Sequence, residues 1–318
     1  MSKPLVSIIC LCYNHELFVH ATLASVWAQN YDNIEVVIVD DGSQDQSVKK
    51  IREYIEQNPC PYPLHTIFLE QNIGNCAAFN RGWKLANGEF IIDLATDDVL
   101  LPDRVSLQLE LFQSLPEDYG VVFSEVQYIN ESGEAQYLHF QDKYKHVRPI
   151  PQGDIYAKLI ALYFIPSPSM MYRQRVLQDL GGYDERLAYE DYDFWIRSSR
   201  KYKYAYLNHC TTLVRKSAGS MSKAWYKKGD RQLHSTYLVC QKIKVLNKSP
   251  EEDAALTQRV KFEIRQAVFS NNQAEALLFF TLLKDIDHID WAYRFLLLLT
   301  RSGLNLSWLR DLYLRFIS

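Results

Sequence analysis

Four short apolar runs, each ending in polar residues and each separated from the next by a stretch of helical spacing, occupy the first hundred positions. Leu5–Cys12 carries no charge, the pattern of a strand buried on both faces. Ile34–Val39, Leu64–Leu69 and Glu89–Leu94 read as three further strands. Between them Leu17–Trp27, Ser47–Ile55 and Cys76–Ala86 have the spacing of helices, and Pro102 suits the first turn of another. Strand and helix in strict alternation predict a mostly parallel, doubly wound α/β sheet.

The polar residues fall where such a sheet binds its ligands, just beyond the carboxyl ends of the strands. Tyr13-Asn14, Asp40-Asp41, Asn72 and Asp97-Asp98 all stand there. No G-x-G-x-x-G follows the first strand and no G-x-x-x-x-G-K-[ST] occurs, which argues against a dinucleotide dehydrogenase and a P-loop enzyme. Acids in place of glycines favour a diphosphate bridged by a metal over one cradled by backbone amides. A formal net charge of −3 gives no electrostatic footprint for nucleic acid. The 21 Tyr and 6 Trp include flat amphipathic rings of the kind on which sugars and bases stack.

Beyond the first hundred residues the pattern changes twice. Val121–Ile129 is strand-like, followed by a turn at Glu131-Ser132-Gly133 and a mixed, Tyr-rich stretch. From about residue 225 the chain turns Leu-rich and helical, notably over 255–283 and 291–317. The expected organisation is therefore a domain over 1–225 and a helical region over 226–318. Cys10, Cys12, Cys60, Cys76, Cys210 and Cys240 form no C-x-x-C pair and are expected to be reduced, as in a cytoplasmic protein. The first residues already read as a strand with no signal-peptide pattern, and Phe295–Leu299 is too short to span a bilayer. Trp225, Trp291 and Trp308 lie among Leu-rich helices, and Lys227-Lys228 lie beside Trp225. Helix-bundle core is the commoner use of such stripes; peripheral seating on the inner face of a membrane is the other.

Five ordered motifs carry a resemblance. They are Val6-Ser7-Ile8-Ile9 with Tyr13-Asn14, Val39-Asp40-Asp41-Gly42-Ser43, and Asn72-x-Gly74 with Asn80-Arg81-Gly82. Gly88-Glu89-Phe90-Ile91 with Asp97-Asp98 and Pro102, and Gly181-Gly182-Tyr183-Asp184-Glu185 with Glu190-Asp191, complete the set. Across roughly residues 4 to 222 the chain resembles the family 2 glycosyltransferases of the GT-A fold, inverting enzymes that include those of bacterial surface-polysaccharide assembly. The resemblance implies transfer of a sugar from a UDP- or dTDP-sugar donor to the hydroxyl of a saccharide or lipid-linked saccharide.

By the same resemblance Asp41, with Asp40 beside it, accepts from a pyrimidine N–H. Tyr13 stacks on that base next to Asn14, and Arg81 reaches it from the third crossover. Asp97 ligates Mn²⁺ or Mg²⁺ with Asp98 as its neighbour; a hard divalent cation would neutralise the departing diphosphate. Asp191 is the base that takes the acceptor proton, Glu190 orients base or acceptor, and Ser169 lies on the acceptor side. One displacement needs one base, unlike the two carboxylates of a glycosidase.

Three positions depart from the family pattern. Ala95 stands where the first Asp of Asp-x-Asp is usual, Ser217 where a metal-binding His is frequent, and Cys12 where Pro is common. The metal should then have fewer protein ligands, with Arg215 and Lys216 available to share its role. The weakened metal motif also admits a non-catalytic nucleotide-sugar-binding or scaffolding protein. A nucleotidyltransferase fits poorly, because His15-Glu16-Leu17-Phe18 is not a Gly-rich basic loop.

Overall fold

A computed structural model describes residues 3–217, 226–305 and 307. The chain divides into two compact units, and each is described by itself. The first comprises Met1–Ile155, Phe164–Glu185 and Arg197–Ser217; the second comprises Tyr156–Tyr163, Arg186–Ile196 and Ala218–Ser318.

The first unit is built on the alternation legible in the sequence: β1 (Val6–Cys12), α1 (Val19–Trp27), β2 (Ile34–Asp40), α2 (Ser47–Gln57), β3 (Leu64–Phe68), α3 (Asn75–Trp83) and β4 (Phe90–Ala95). These four strands pair in parallel, in the order β3-β2-β1-β4. Every residue of β1 and β2 is buried, as expected of central strands covered on both faces. On one face Val6, Ile8, Cys10 and Ile92 pack with Val19, Leu23 and Val26 of α1 and with Val105, Leu109 and Phe112 of α4 (Arg104–Ser114). Truncating Ile8 or Ile92 to Ala would cost about 2–5 kcal/mol. On the other face α3 comes close through Gly82, where a Cβ would lie 2.8 Å from a Val39 methyl and 2.9 Å from one of Ile9.

The sheet then departs from a purely parallel plan. Beyond β4 it continues β8-β6-β9-β5, using β5 (Val99–Leu100), β6 (Tyr119–Ile129), β8 (Met171–Arg173) and β9 (Lys203–Arg215), with β7 (Ala135–Leu138) on β6. β8 is antiparallel to both β4 and β6, while β6 and β9 run parallel. Of this mixed half the sequence shows Val121–Ile129, which lies in β6, whereas the two- and three-residue strands β5 and β8 leave no period.

The second unit holds α5 (Tyr156–Ala161), most of α7 (Asp191–Ser199), α8 (Arg231–Leu246), α9 (Pro250–Phe269), α10 (Gln273–Ile286) and α11 (Trp291–Arg301); α6 (Gln174–Leu180) belongs to the first unit. Val239, Ile243, Leu256, Val260, Ile264, Phe279 and Leu283 are among its buried apolar residues. The start of α9 is set by Ser249, whose side chain accepts from Glu252 N–H, while Glu252 reaches back to Lys248 N–H at 2.5 Å. Trp291, Phe295 and Leu298 of α11 are 82%, 59% and 64% exposed, so among the described residues this stripe is not bundle core. Trp225 and Trp308 lie outside the described residues. All six cysteines are free thiols. Among the described residues no helix is long and apolar enough to cross a membrane.

Candidate active site

The loops beyond β1, β2 and β4 are tied to one another by backbone. Asp41 N–H donates to Cys12 O at 2.8 Å and Thr96 N–H to Leu11 O at 2.9 Å, so both acidic loops hang from the end of β1. Side chains complete the frame. Asn14, at φ 58°, gives its N–H to Ser43 Oγ and accepts from Gln44 N–H, at 2.9 and 2.8 Å. Asn and Asp tolerate this left-handed conformation better than other side chains. Tyr13 is 43% exposed in the same turn, a free aromatic face at the carboxyl end of the sheet.

The two acids after β2 have different tasks. Asp40 is fully buried and closes its own turn, accepting from Ser43 N–H at 2.9 Å and Ser43 Oγ at 2.6 Å. Asp41 accepts from the N–H groups of Ile73 and Gly74 at 2.7 and 3.0 Å, pinning the Asn72-Ile73-Gly74 loop. Burial pushes its carboxyl above the ordinary value, against the pull of those two donors. A carboxylate has about four acceptor sites, of which these two bonds use half. Gly42 lets these loops touch: at φ +70°, its Cβ would lie 2.3 Å from the Gln71 carbonyl carbon.

Asp97 and Asp98 diverge more sharply. The Asp97 side chain is 16% exposed, and its Oδ2 stands 3.9 Å from His15 Nε2. The other ring nitrogen of His15 meets Thr96 Oγ1 at 2.9 Å. Asp98 is 3% exposed and accepts from Arg215 N–H at 2.8 Å. Burial, reinforced by the neighbouring Asp97 charge, holds the Asp98 carboxyl well above the usual carboxylate range. Arg215 is committed as well. Its guanidinium donates to the carbonyls of Asp97, Asn130 and Glu131, each at 3.0 Å, and stacks on Phe18 at 4.6 Å. Among the described residues no group of three or more His, Cys, Asp or Glu is arranged to hold a metal ion. His15 was not singled out in the sequence, and only its fold neighbours Thr96 and Asp97 mark it.

Several motif residues prove to be scaffolding. Asn80 donates to Tyr183 O and Glu185 Oε1, at 2.9 and 3.0 Å, and accepts from Tyr183 N–H at 2.9 Å. It thereby clamps the Gly181-Gly182-Tyr183 turn, where a Cβ on Gly182 would meet Asn80 Oδ1 at 2.6 Å. Tyr183 stacks on Phe79 at 4.2 Å and donates to Asp93 at 3.0 Å. Desolvation pushes Asp93 up to about 7, against the pull of Tyr183 and Arg104. Arg81 is exposed in the last turn of α3. Ser169 is fully buried, donating to Pro166 O at 2.8 Å and accepting from Ser124 N–H at 3.0 Å, so its hydroxyl is spent on backbone. The buried Arg104 fixes that segment through Pro168 O at 2.6 Å and Met170 O at 2.9 Å.

Glu190 and Asp191 belong to the second unit, both half-buried, with Asp191 opening α7. Asp191 Oδ1 accepts from Tyr192 N–H at 2.6 Å, which holds its rotamer.

Comparison with known proteins bears on the fold and the family. An uncharacterised glycosyltransferase of Methanocaldococcus jannaschii is 31% identical over 215 residues, covering 64% of this chain and 68% of the relative. One from Rickettsia typhi is 28% identical over 201 residues, 62% of this chain and 59% of its own length. Among solved structures, Staphylococcus aureus TarS 1–349 in complex with UDP-GlcNAc matches with a TM-score of 0.65 at 20% identity, over 94% of this chain and 92% of that one. The mannosyltransferase PcManGT of Pyrobaculum calidifontis, in complex with GDP-Man and Mn²⁺, matches at 0.60 with 17% identity, over 98% and 88%. At such identities the likeness is one of fold, here GT-A. The profile of glycosyl transferase family 2 matches residues 7–181, more than half of the chain, and with the acids at its strand ends the protein belongs to the family 2 glycosyltransferases.

Proposed function

We propose that this protein moves a sugar from a nucleotide diphosphate donor onto an acceptor hydroxyl with inversion of configuration. The observation that carries the reading is the gathering of Tyr13, Asp41 and Asp97 on loops tied to the end of β1. Tyr13 offers a face for the base. Asp41, preset by two backbone donors, has acceptor sites left for a base N–H, and a pyrimidine supplies one. Arg81 adds a cation from α3. This supports a UDP- or dTDP-sugar.

The residues present fit a cation carried by the donor better than one held in a preformed cage. Asp97 offers one partly exposed carboxylate and His15 one nearby nitrogen, while Ala95 offers nothing and Asp98 is occupied by Arg215 N–H. Mg²⁺ needs only one or two carboxylates when phosphates and water supply the rest, and Mn²⁺ serves similarly. Such an ion, held by Asp97, would neutralise charge on the departing diphosphate. Asp191 takes the proton from the acceptor hydroxyl as that oxygen attacks the anomeric carbon, and Glu190 orients the acceptor. The acceptor fitting the motif resemblance is a saccharide or lipid-linked saccharide of a surface polysaccharide or glycolipid.

A panel of nucleotide sugars, assayed with Mn²⁺ for transfer and donor hydrolysis, tests the reading. Turnover of one donor class is expected. Tight binding of a nucleotide sugar with no turnover under any condition would favour the scaffolding alternative.

A further inference from the structure

The segment bearing Glu190-Asp191 is gripped on both sides by side chains of its own unit. Before it, Ala188 N–H donates to Ser235 Oγ at 2.8 Å, and Tyr189 OH meets Thr236 Oγ1 at 2.6 Å and Tyr163 OH at 3.1 Å. After it, Tyr192 OH donates to Ile160 O at 3.1 Å, and Asp193, 1% exposed, pairs with Lys242 at 2.5 Å. The anchors come from α5, α8 and the turn after α5.

Arg259 of α9 joins these anchors from beneath. It is 3% exposed and donates from Nε to Ile160 O at 3.0 Å, the same oxygen that Tyr192 OH uses. A second nitrogen reaches Ala161 O at 3.3 Å. A third pairs with Glu263, itself fully buried, at 3.1 Å. The guanidinium carbon lies 4.2 Å from the Tyr163 ring centre and 5.3 Å from that of Tyr192. One planar cation thus touches the ring of Tyr192, next to Asp191, the ring of Tyr163, whose hydroxyl meets that of Tyr189, and the Ile160 and Ala161 carbonyls.

A buried ion pair is an inefficient way to stabilise a helix bundle, because desolvation of both ions offsets their attraction and well-packed apolar residues do as well or better. What Arg259 supplies, and a Leu or Met could not, is direction: a rigid fork aimed at two carbonyls and packed against the rings of Tyr163 and Tyr192. We propose that Arg259 is the positioning residue for Asp191, fixing through Tyr192, Ile160 and Tyr163 the rotamer and depth at which the carboxylate meets the acceptor. The C-terminal helices are then part of the catalytic apparatus. The inference rests on Asp191 being the base.

The experiment uses the full chain and compares wild type, Arg259→Met, Arg259→Lys, Tyr192→Phe and Asp191→Asn. Transfer kcat, the donor KM and UDP affinity by calorimetry are measured, with circular dichroism as a check on folding. Arg259→Met should lower kcat by between about tenfold and a hundredfold, as sub-ångström to ångström misplacement of a reacting group does, with donor KM and UDP affinity within twofold of wild type. Arg259→Lys should recover part of kcat by keeping the charge and one bond. Tyr192→Phe, which deletes only the hydroxyl on Ile160 O, should cost a smaller factor; should Arg259→Met not fold, this variant and Arg259→Lys carry the test. Wild-type kcat in Arg259→Met or in Tyr192→Phe, with Asp191→Asn inactive, overturns the positioning role alone. Equal loss of kcat and UDP affinity in the folded variants overturns it in favour of a merely structural Arg259. Full activity of Asp191→Asn removes the base itself, and the positioning role with it.

Discussion

Adjacent aspartates on one turn give a sharp test, because the structure assigns them different environments. Asp98 is 3% exposed and its Oδ1 accepts Arg215 N–H at 2.8 Å, whereas the Asp97 side chain is 16% exposed and faces His15. Asp98→Ala removes an acceptor and strands a buried N–H. Leaving that buried donor unsatisfied should destabilise by about 1–3 kcal/mol. Asp98→Asn keeps a neutral acceptor of the same shape where burial already disfavours charge, so it should lie within about 1 kcal/mol of wild type. Asp97→Asn should leave stability unchanged but weaken Mn²⁺-dependent UDP binding at least about tenfold, or 1.4 kcal/mol. Urea unfolding reads the first quantity and calorimetric titration of UDP with and without Mn²⁺ the second. Chelator should bring wild type to the affinity of Asp97→Asn. Loss of Mn²⁺-dependent binding in Asp98→Asn, with Asp97→Asn unaffected, would refute this division of labour.

Three further outcomes follow from the same geometry. Asp41→Asn turns one acceptor into an amide donor facing Ile73 or Gly74 N–H; it should destabilise by about 2 kcal/mol and weaken UDP binding, both measurable in the assays above. Gly42→Ala meets backbone at a positive φ and should lose about 2–3 kcal/mol in urea unfolding, with UDP affinity falling as the Asp41 turn shifts. Asp93, raised to about 7 by burial, binds a proton in the folded chain that the unfolded chain has released; its contribution therefore penalises folding as pH rises from about 4 to about 7, by roughly 4 kcal/mol in all. Asp93→Asn keeps an acceptor for Tyr183 and should flatten the fall in the urea midpoint between pH 5 and pH 8; an unchanged slope would show that Asp93 is not the source.

The parallel half of the sheet was legible because buried central strands and amphipathic crossovers leave long periodic signals, as in Leu5–Cys12 and Ser47–Ile55. Of the mixed half only β6 was, as Val121–Ile129, since β5 and β8 have two and three residues. Site residues were legible as chemistry at strand ends but not as geometry. Sequence adjacency made Asp98 a partner of Asp97, whereas its carboxylate turns inward to Arg215 N–H. Ser169, placed on the acceptor side by the resemblance, has a hydroxyl that backbone groups of Pro166 and Ser124 consume. Arg104 and Arg259 give no sequence signal, because a charged residue on a helix is ordinarily solvated and only tertiary structure reveals one that is buried. Arg215 and Lys216, read as candidates to share a metal's charge, include one guanidinium already spent on three carbonyls.

The claim at the centre of this account is that Asp191 is the base of a sugar transfer whose donor is bound by other residues. Its direct test is the kcat of Asp191→Asn with the best donor of the panel, set beside the UDP affinity of the same variant. Asp191→Asn should lower kcat by about 10²–10⁴-fold, the usual contribution of a positioned general base, with UDP affinity within twofold of wild type. Undiminished transfer by Asp191→Asn, or a loss of UDP binding equal to the loss of rate, would contradict it.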